Sequence, residues 1–463
     1  MSRVVDADGS PSSSEIAPTG SGPRISSRIR AATSTWCTPS RSPTASMCSM
    51  TAMRNSRKTS SSGCLSATRP NLLHINVSLN RSIFDMEVTV DVLVIGAGVG
   101  GLAVARSLLA AGHQVRVYEQ APAMRTGGAG LTIFSNGAAV LDDLGISLDG
   151  VGGRFDRIDA LTADGRLRLR SDMAHAAARY GFPSRSISRR LLLERLSDGL
   201  PGDLIRYGTG CRAVNQDGDR VTAAFDDGST ATGDLLIGAD GHHSVVRRAL
   251  WGDVPIRTAT FGTWQALSPV DIELTRTHVH LMITGREGAC GLIPAGDGLL
   301  QWWFDVRWSP GEPRPAAPLA MLRRRFGHWA SPVPEVLAQA SEDDLDFFGH
   351  HWQKVRRVWG KGRITLLGDA AHLMPPTLGQ GANQTFEDVW VLGRSLAQAG
   401  DVAERLRAYE RARYPHVSLV SRLARRSPAN WRIPPLVGRL LSETSQSAML
   451  ARFSNRLTAL APA

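Results

Sequence analysis

The sequence predicts an α/β fold: a parallel sheet interrupted by an inserted antiparallel sheet and closed by C-terminal helices. Three observations predict it. A glycine-rich segment, Gly96-Ala97-Gly98-Val99-Gly100-Gly101, lies between an apolar strand and a helix, in a strand–helix–strand opening. From about 251 to 359 the chain turns Trp-rich and strand-like, breaking that alternation. After Gly381 the apolar positions take helical spacing through about Leu423.

Taken in order, residues 1–85 are rich in Ser, Thr, Arg and Pro without a period of 2 or 3.6, and are expected to be disordered. Periodicity begins abruptly after Met86, so this stretch reads as a non-native extension, with a transit peptide or a basic arm as the alternative. A strand at about 89–95, a helix at 99–111 and a strand at 114–118 follow. Segments near 154–170 and 211–237 read as hairpins or meanders. The nucleotide-binding domain is expected from 86–160, 180–250 and 360–426, the substrate domain from 161–179 and 251–359, and a C-terminal helical segment from 427–463.

Composition narrows the function classes. The formal charge of +11 invites a nucleic-acid or membrane-surface reading, but +6 of it falls in residues 1–85, leaving a mildly basic remainder. That remainder suits an anionic substrate or a nicotinamide phosphate, or is a solvated face. The five cysteines form no C-x-x-C and no paired framework, which points to a reducing, cytoplasmic compartment. The longest conspicuously apolar run, Val92 to Ala105, is shorter than a membrane span and broken by glycines.

In the first motif, the glycines let the backbone turn tightly and approach a pyrophosphate, whose negative charge sits at the positive helix N-terminus. Glu119, ending the next strand, can accept hydrogen bonds from ribose hydroxyls. A second motif follows the strand Ile364-Thr365-Leu366-Leu367: Gly368-Asp369-Ala370-Ala371-His372, then Pro375-Pro376, Gly379-Gln380-Gly381-Ala382-Asn383 and Glu387-Asp388. An aspartate at a strand end can hold a sugar-like hydroxyl, and the glycine loop aims N–H groups at an electron-rich edge. Between the two lies Asp240-Gly241-His242-His243, after the strand Asp234 to Gly238.

With these three motifs in this order, the chain resembles the single-component FAD aromatic hydroxylases of the para-hydroxybenzoate hydroxylase type, from Met86 to about Leu423. The stretch Arg125 to Leu131, with Asn136, is similar to the salicylate hydroxylase and zeaxanthin epoxidase branch. The resemblance implies a Rossmann-like FAD-binding domain with Gly96, Gly98, Gly101 and Glu119 at the adenosine end, Asp369 on the ribityl chain, and Arg189 near the phosphates and flavin. It also implies Arg125, Asp240, Pro376, Gly379, Gly381, Ala382 and Asn383 beside the cofactor. The implied cycle is hydride transfer from NADPH or NADH to FAD, oxygen addition at flavin carbon 4a, and oxygen delivery to a small, apolar, aromatic or polycyclic substrate, by hydroxylation or epoxidation. The cofactor carries that chemistry.

Trp264, Gln265, Trp302 and Pro375 are the candidate substrate-pocket residues. Thr263-Trp264-Gln265 departs from the Ala-Trp-Arg strand of salicylate-hydroxylase-like members, which argues against a simple carboxylated benzoate. His372, His242 and Tyr180 are candidates for a base, and none is assigned. His278 and His280 lack partners of ligand spacing, so no metal is expected and they read as strand surface. A flavoprotein isomerase or cyclase using reduced FAD without oxygen transfer is the alternative; a halogenase lacks its W-x-W-x-I-P stretch. No stable membrane insertion or nucleic-acid partner is expected, and the chain reads as a monomer or homodimer.

Overall fold

Five short parallel strands organise the nucleotide-binding part. Residues Val92 to Ile95, Leu235–Gly238 and Ile364–Leu366 are buried throughout, as strands covered by helices on both faces must be. The computed structural model describes residues 89–124 and 129–425; the expectations for 1–85, Arg125 and 427–463 lie outside the described residues. Across the sheet the order is Ile364–Leu366, Leu235–Gly238, Asp91–Ile95, Gln114–Tyr118, Ile205–Arg206. Ile95 pairs with Gly238 and Tyr118, and Gly238 with Leu366. Four strands therefore end level, and the three motifs leave one edge side by side.

A seven-stranded sheet carries the second core. It runs Asp346–Trp352, Arg257–Pro269, Leu299–Arg307, Ala289–Pro294, Val279–Thr284, Arg157–Thr162, Leu167–Asp172. The expected antiparallel insertion needs two corrections. Val279–Thr284 pairs parallel with Arg157–Thr162, and helices Pro318–Phe326 and Val333–Gln339 interrupt the strand-like stretch. Leu319, Leu322, Phe326, Val333, Val336 and Leu337 cover one face of the sheet against Trp302, Phe304 and Leu292.

Helices Gly381–Leu396 and Val402–Ala424 pack together through a buried charge network. Arg413 is fully buried; its Nε donates to Asp388 Oδ1 and its Nη1 to Glu387 Oε2, both at 2.7 Å. Asn136 Nδ2 donates to Glu387 Oε1 (2.7 Å), and Gly368 N–H to Asp388 Oδ2 (3.0 Å). Asn136, the Gly368 turn and both helices are thus joined at one point. No helix among the described residues is long and apolar enough to cross a membrane.

Candidate functional site

The level edge of the parallel sheet gathers the sequence motifs. Gly96 has φ +102°, a left-handed conformation that L side chains resist. A Cβ on Gly101 would stand 1.8 Å from the Gly96 carbonyl oxygen. Helix Val99–Ala110 begins at Gly98 with no side-chain cap, and no described atom lies within 4 Å of where a Gly98 Cβ would stand. Its first N–H groups are therefore left without a side-chain cap, the condition for an anion at a helix N-terminus. Glu119 borders the loop, accepting N–H donors from Ala97 (2.8 Å) and Ala121 (2.9 Å).

Helix Gly381–Leu396 presents a second uncapped N-terminus, again with open space at Gly381. The two helices touch where a Gly100 Cβ would meet Thr385 Cγ2. Gly379 takes φ +60°; Ala382 is half-buried beside it. Asn383 is wholly buried, and its amide bonds Phe134 N–H, Thr132 O and Gly379 O, so the side chain shapes the loop and only its backbone is free to face a ligand. Pro375 is buried and Pro376 exposed.

Asp240 lies at the middle of the edge. Its Oδ2 accepts from Val245 and Val246 N–H, while Oδ1 is buried without a partner among the described residues. Burial raises its carboxyl above the ordinary range, against the helix N–H groups that lower it. Asp369 is exposed by surface area, yet the surrounding protein raises its carboxyl, with His372, Arg189 and Arg247 pulling the other way. Arg189, exposed at the start of its helix, acts on Asp369 through its charge. Arg247 Nη1 donates to Ala370 O (3.1 Å), fastening the Asp240 segment to the Asp369 turn.

The candidate bases separate. His372 is wholly buried, with Nε2 2.5 Å from Asp388 Oδ2. Desolvation raises the Asp388 carboxyl, but His372 and Arg413 outweigh it and hold it below the ordinary range. His242 is exposed, its ring against His243 and parallel to His351. Tyr180 is half-buried under the Arg179 guanidinium.

Strand alternation sorts the pocket candidates. Trp264 packs on Phe347, and Trp302 donates Nε1 to Ser268 Oγ (3.1 Å); both lie in the core under the two helices. Gln265 lies on the opposite face, half-buried near Asp346. That face, carrying Gln301, Trp303, Asp305 and Thr263, turns toward the nucleotide fold. Gln301 Nε2 donates to Gly130 O (2.8 Å) and Oε1 accepts from Ser186 Oγ (2.6 Å). From Trp303 a run of ring contacts passes through His280 and Phe155 to Phe134, which lies against Gly379. His280 is buried rather than on the surface; both ring nitrogens lack partners among the described residues, and burial lowers it to about 3.

Thr263 Oγ1 donates to Asp305 Oδ1 (2.5 Å) and lies 2.6 Å from His350 Nε2. Sequence reading missed this trio, although apolar residues alternate with Gln301, Trp303 and Asp305. Burial lifts the Asp305 carboxyl to about 6 and drops His350 to about 4. Because the folded state favours protonated Asp305, stability present below pH 3.8 is lost as pH rises through about 6. Asp305→Asn is therefore expected to stabilise by about 3 kcal/mol at pH 8 and by nearly nothing at pH 3, read by urea unfolding at both.

Comparison with known proteins agrees with this geometry. The family described as "FAD binding domain" matches residues 89–424. The 3-amino-4-hydroxybenzoate 2-monooxygenase PtmB3 of Streptomyces platensis is 35% identical over 365 residues, covering 74% of this chain and 89% of that protein. An FAD-dependent urate hydroxylase of Klebsiella pneumoniae is 32% identical, covering 70% and 86%. The structure of Klebsiella pneumoniae HpxO with FAD and uric acid aligns with TM-score 0.74 at 28% identity, covering 80% of this chain and 97% of that one. The uncapped helix ends, the open space over Gly98 and Gly381 and the partnerless Asp240 oxygen fit such a dinucleotide. This chain belongs to the FAD-binding-domain family and is an FAD-dependent monooxygenase.

Proposed function

We propose that the protein takes electrons from NADPH or NADH and places one atom of O2 on a small, largely apolar aromatic compound, by hydroxylation or epoxidation. One observation supports this best: two uncapped helix N-termini and two aspartates meet on one sheet edge, while a sheet face bearing Gln265, Gln301 and Trp303 turns toward the same fold. Bound FAD supplies the electron transfer and oxygen activation. The protein's part is to hold charge, orient the reactants and exclude water.

On this reading Gly96, Gly98, Gly101 and Glu119 hold the adenosine and pyrophosphate end, with Arg125, Arg189 and Asp240 beside it. Asp369 binds the ribityl chain, and Pro376, Gly379, Gly381, Ala382 and Asn383 border the ring. The 86–160, 180–250 and 360–426 segments form the FAD-binding domain, except that Arg157 to Ala160 open a strand of the seven-stranded sheet, and 161–179 with 251–359 form the substrate domain. Pro375, Gln265 and Trp303 border the substrate; Trp264 and Trp302 support that wall from the core side. Relatives named for 3-amino-4-hydroxybenzoate and for urate favour a ring made electron-rich by amino or hydroxyl groups. The enzyme works in the cytoplasm, as a monomer or homodimer.

The test is NAD(P)H-driven oxygen consumption with 3-amino-4-hydroxybenzoate, urate and a panel of phenols under oxygen-18 gas. The expected result is a stimulated rate and one labelled oxygen in the product. A rearranged, unlabelled product would replace this reading with an isomerase or cyclase.

A further inference from the structure

An open cavity of about 490 Å³ lies apart from the sheet edge, between Trp352 to Val355 and the last turns of helix Val402–Ala424. Arg257, Lys354, Arg422 and Arg425 line it, with Trp352 and Tyr414 as aromatic walls. Among the described residues that line it there is no carboxylate. Asp253, next in sequence to the lining Val254, is exposed and 3.9 Å from Arg248. The Arg257 and Arg425 guanidinium carbons lie 5.3 and 4.5 Å from the Trp352 ring centre. Desolvation, then the charges of Arg422 and Arg257, hold Arg425 below its ordinary value. Like charges are thus held together around a hollow, an arrangement that costs free energy until an anion enters.

Its position gives the anion a role. Gln353, between Trp352 and Lys354, donates its N–H to Leu373 O (3.1 Å), and Thr377 Oγ1 donates to Ala424 O. Both walls are therefore fastened to the two flanks of the Pro375–Pro376 turn.

We propose that this cavity docks the phosphates of the nicotinamide co-substrate, and that its four cations favour NADPH over NADH. The inference rests on the nicotinamide reading above. Arg425 and Arg422 bind pyrophosphate or 2′-phosphate oxygens through charge-assisted hydrogen bonds.

The test uses the full-length flavoprotein in anaerobic stopped-flow, following flavin reduction against NADPH and NADH concentration for wild type, Arg422→Ala/Arg425→Ala and Arg422→Lys/Arg425→Lys. The expected result is a Kd for NADPH raised roughly tenfold or more in the alanine pair, largely restored in the lysine pair, with limiting reduction rate and FAD content unchanged and the NADPH preference diminished. An unchanged Kd for NADPH in a well-reduced alanine variant overturns the cavity assignment alone. A wild type that neither nucleotide reduces overturns the nicotinamide reading and this inference with it.

Discussion

Arg413→Ala is expected to destabilise the fold by about 3–5 kcal/mol, a loss read directly by urea unfolding at pH 7.5. The reason is what remains rather than what leaves. Glu387 and Asp388 are both wholly buried, and Arg413 supplies the positive charge facing both. Without it, two carboxylates stand in a dry interior, with His372 against one of them. They must ionise at great cost, bind protons, or pull the helices apart. The sign with pH follows. In the wild type Asp388 is held below the ordinary range, so its contribution is present above about pH 4 and fades in acid. In the variant the Asp388 carboxyl loses the Arg413 charge that holds it down, and the deficit shrinks as pH falls toward 4.

Gly101→Val is expected to abolish FAD retention. Here the conflict is with backbone: the new Cβ would overlap the Gly96 carbonyl oxygen, and no rotamer relieves it. Either the glycine turn opens or helix Val99–Ala110 withdraws from the sheet. In both cases the first-turn N–H groups lose their aim. Val94 Cγ1 packs 3.6 Å from the same point, so the disturbance reaches the core strand and lowers stability as well.

The motif-bearing edge of the parallel sheet was more legible in the sequence than the faces of the seven-stranded sheet, for a physical reason. A glycine turn, a helix start and an acidic strand end are local requirements, written within the span from Gly96 to Glu119. The sheet then brings distant motifs together by register, and strands with continuous apolar runs announce a parallel interior sheet. The seven-stranded sheet is covered on both faces. Alternation at Trp302 and Trp303 reveals two faces, but only tertiary packing decides which of them turns toward the nucleotide fold. Trp264 and Trp302 went into the helix-covered core, and Trp303 with Gln301 to the other side.

Long-range polar groups were hidden for a related reason. Thr263, Asp305 and His350 come from three strands and meet only through their pairing. Arg413, in the middle of a helix rich in Arg and Glu, resembles a solvated residue until the facing helix presents Glu387 and Asp388. His280 looked like strand surface and is instead enclosed by Phe155 and Trp303. The two helices at Pro318–Phe326 and Val333–Gln339 were obscured by the Trp and Pro residues around them.

The flavin-to-chain ratio of purified wild type, measured beside Gly101→Val by absorbance after release of the cofactor, bears most directly on the central claim. One FAD per wild-type chain and essentially none in the variant is the predicted outcome. A colourless wild-type protein that takes up no added FAD would contradict the account.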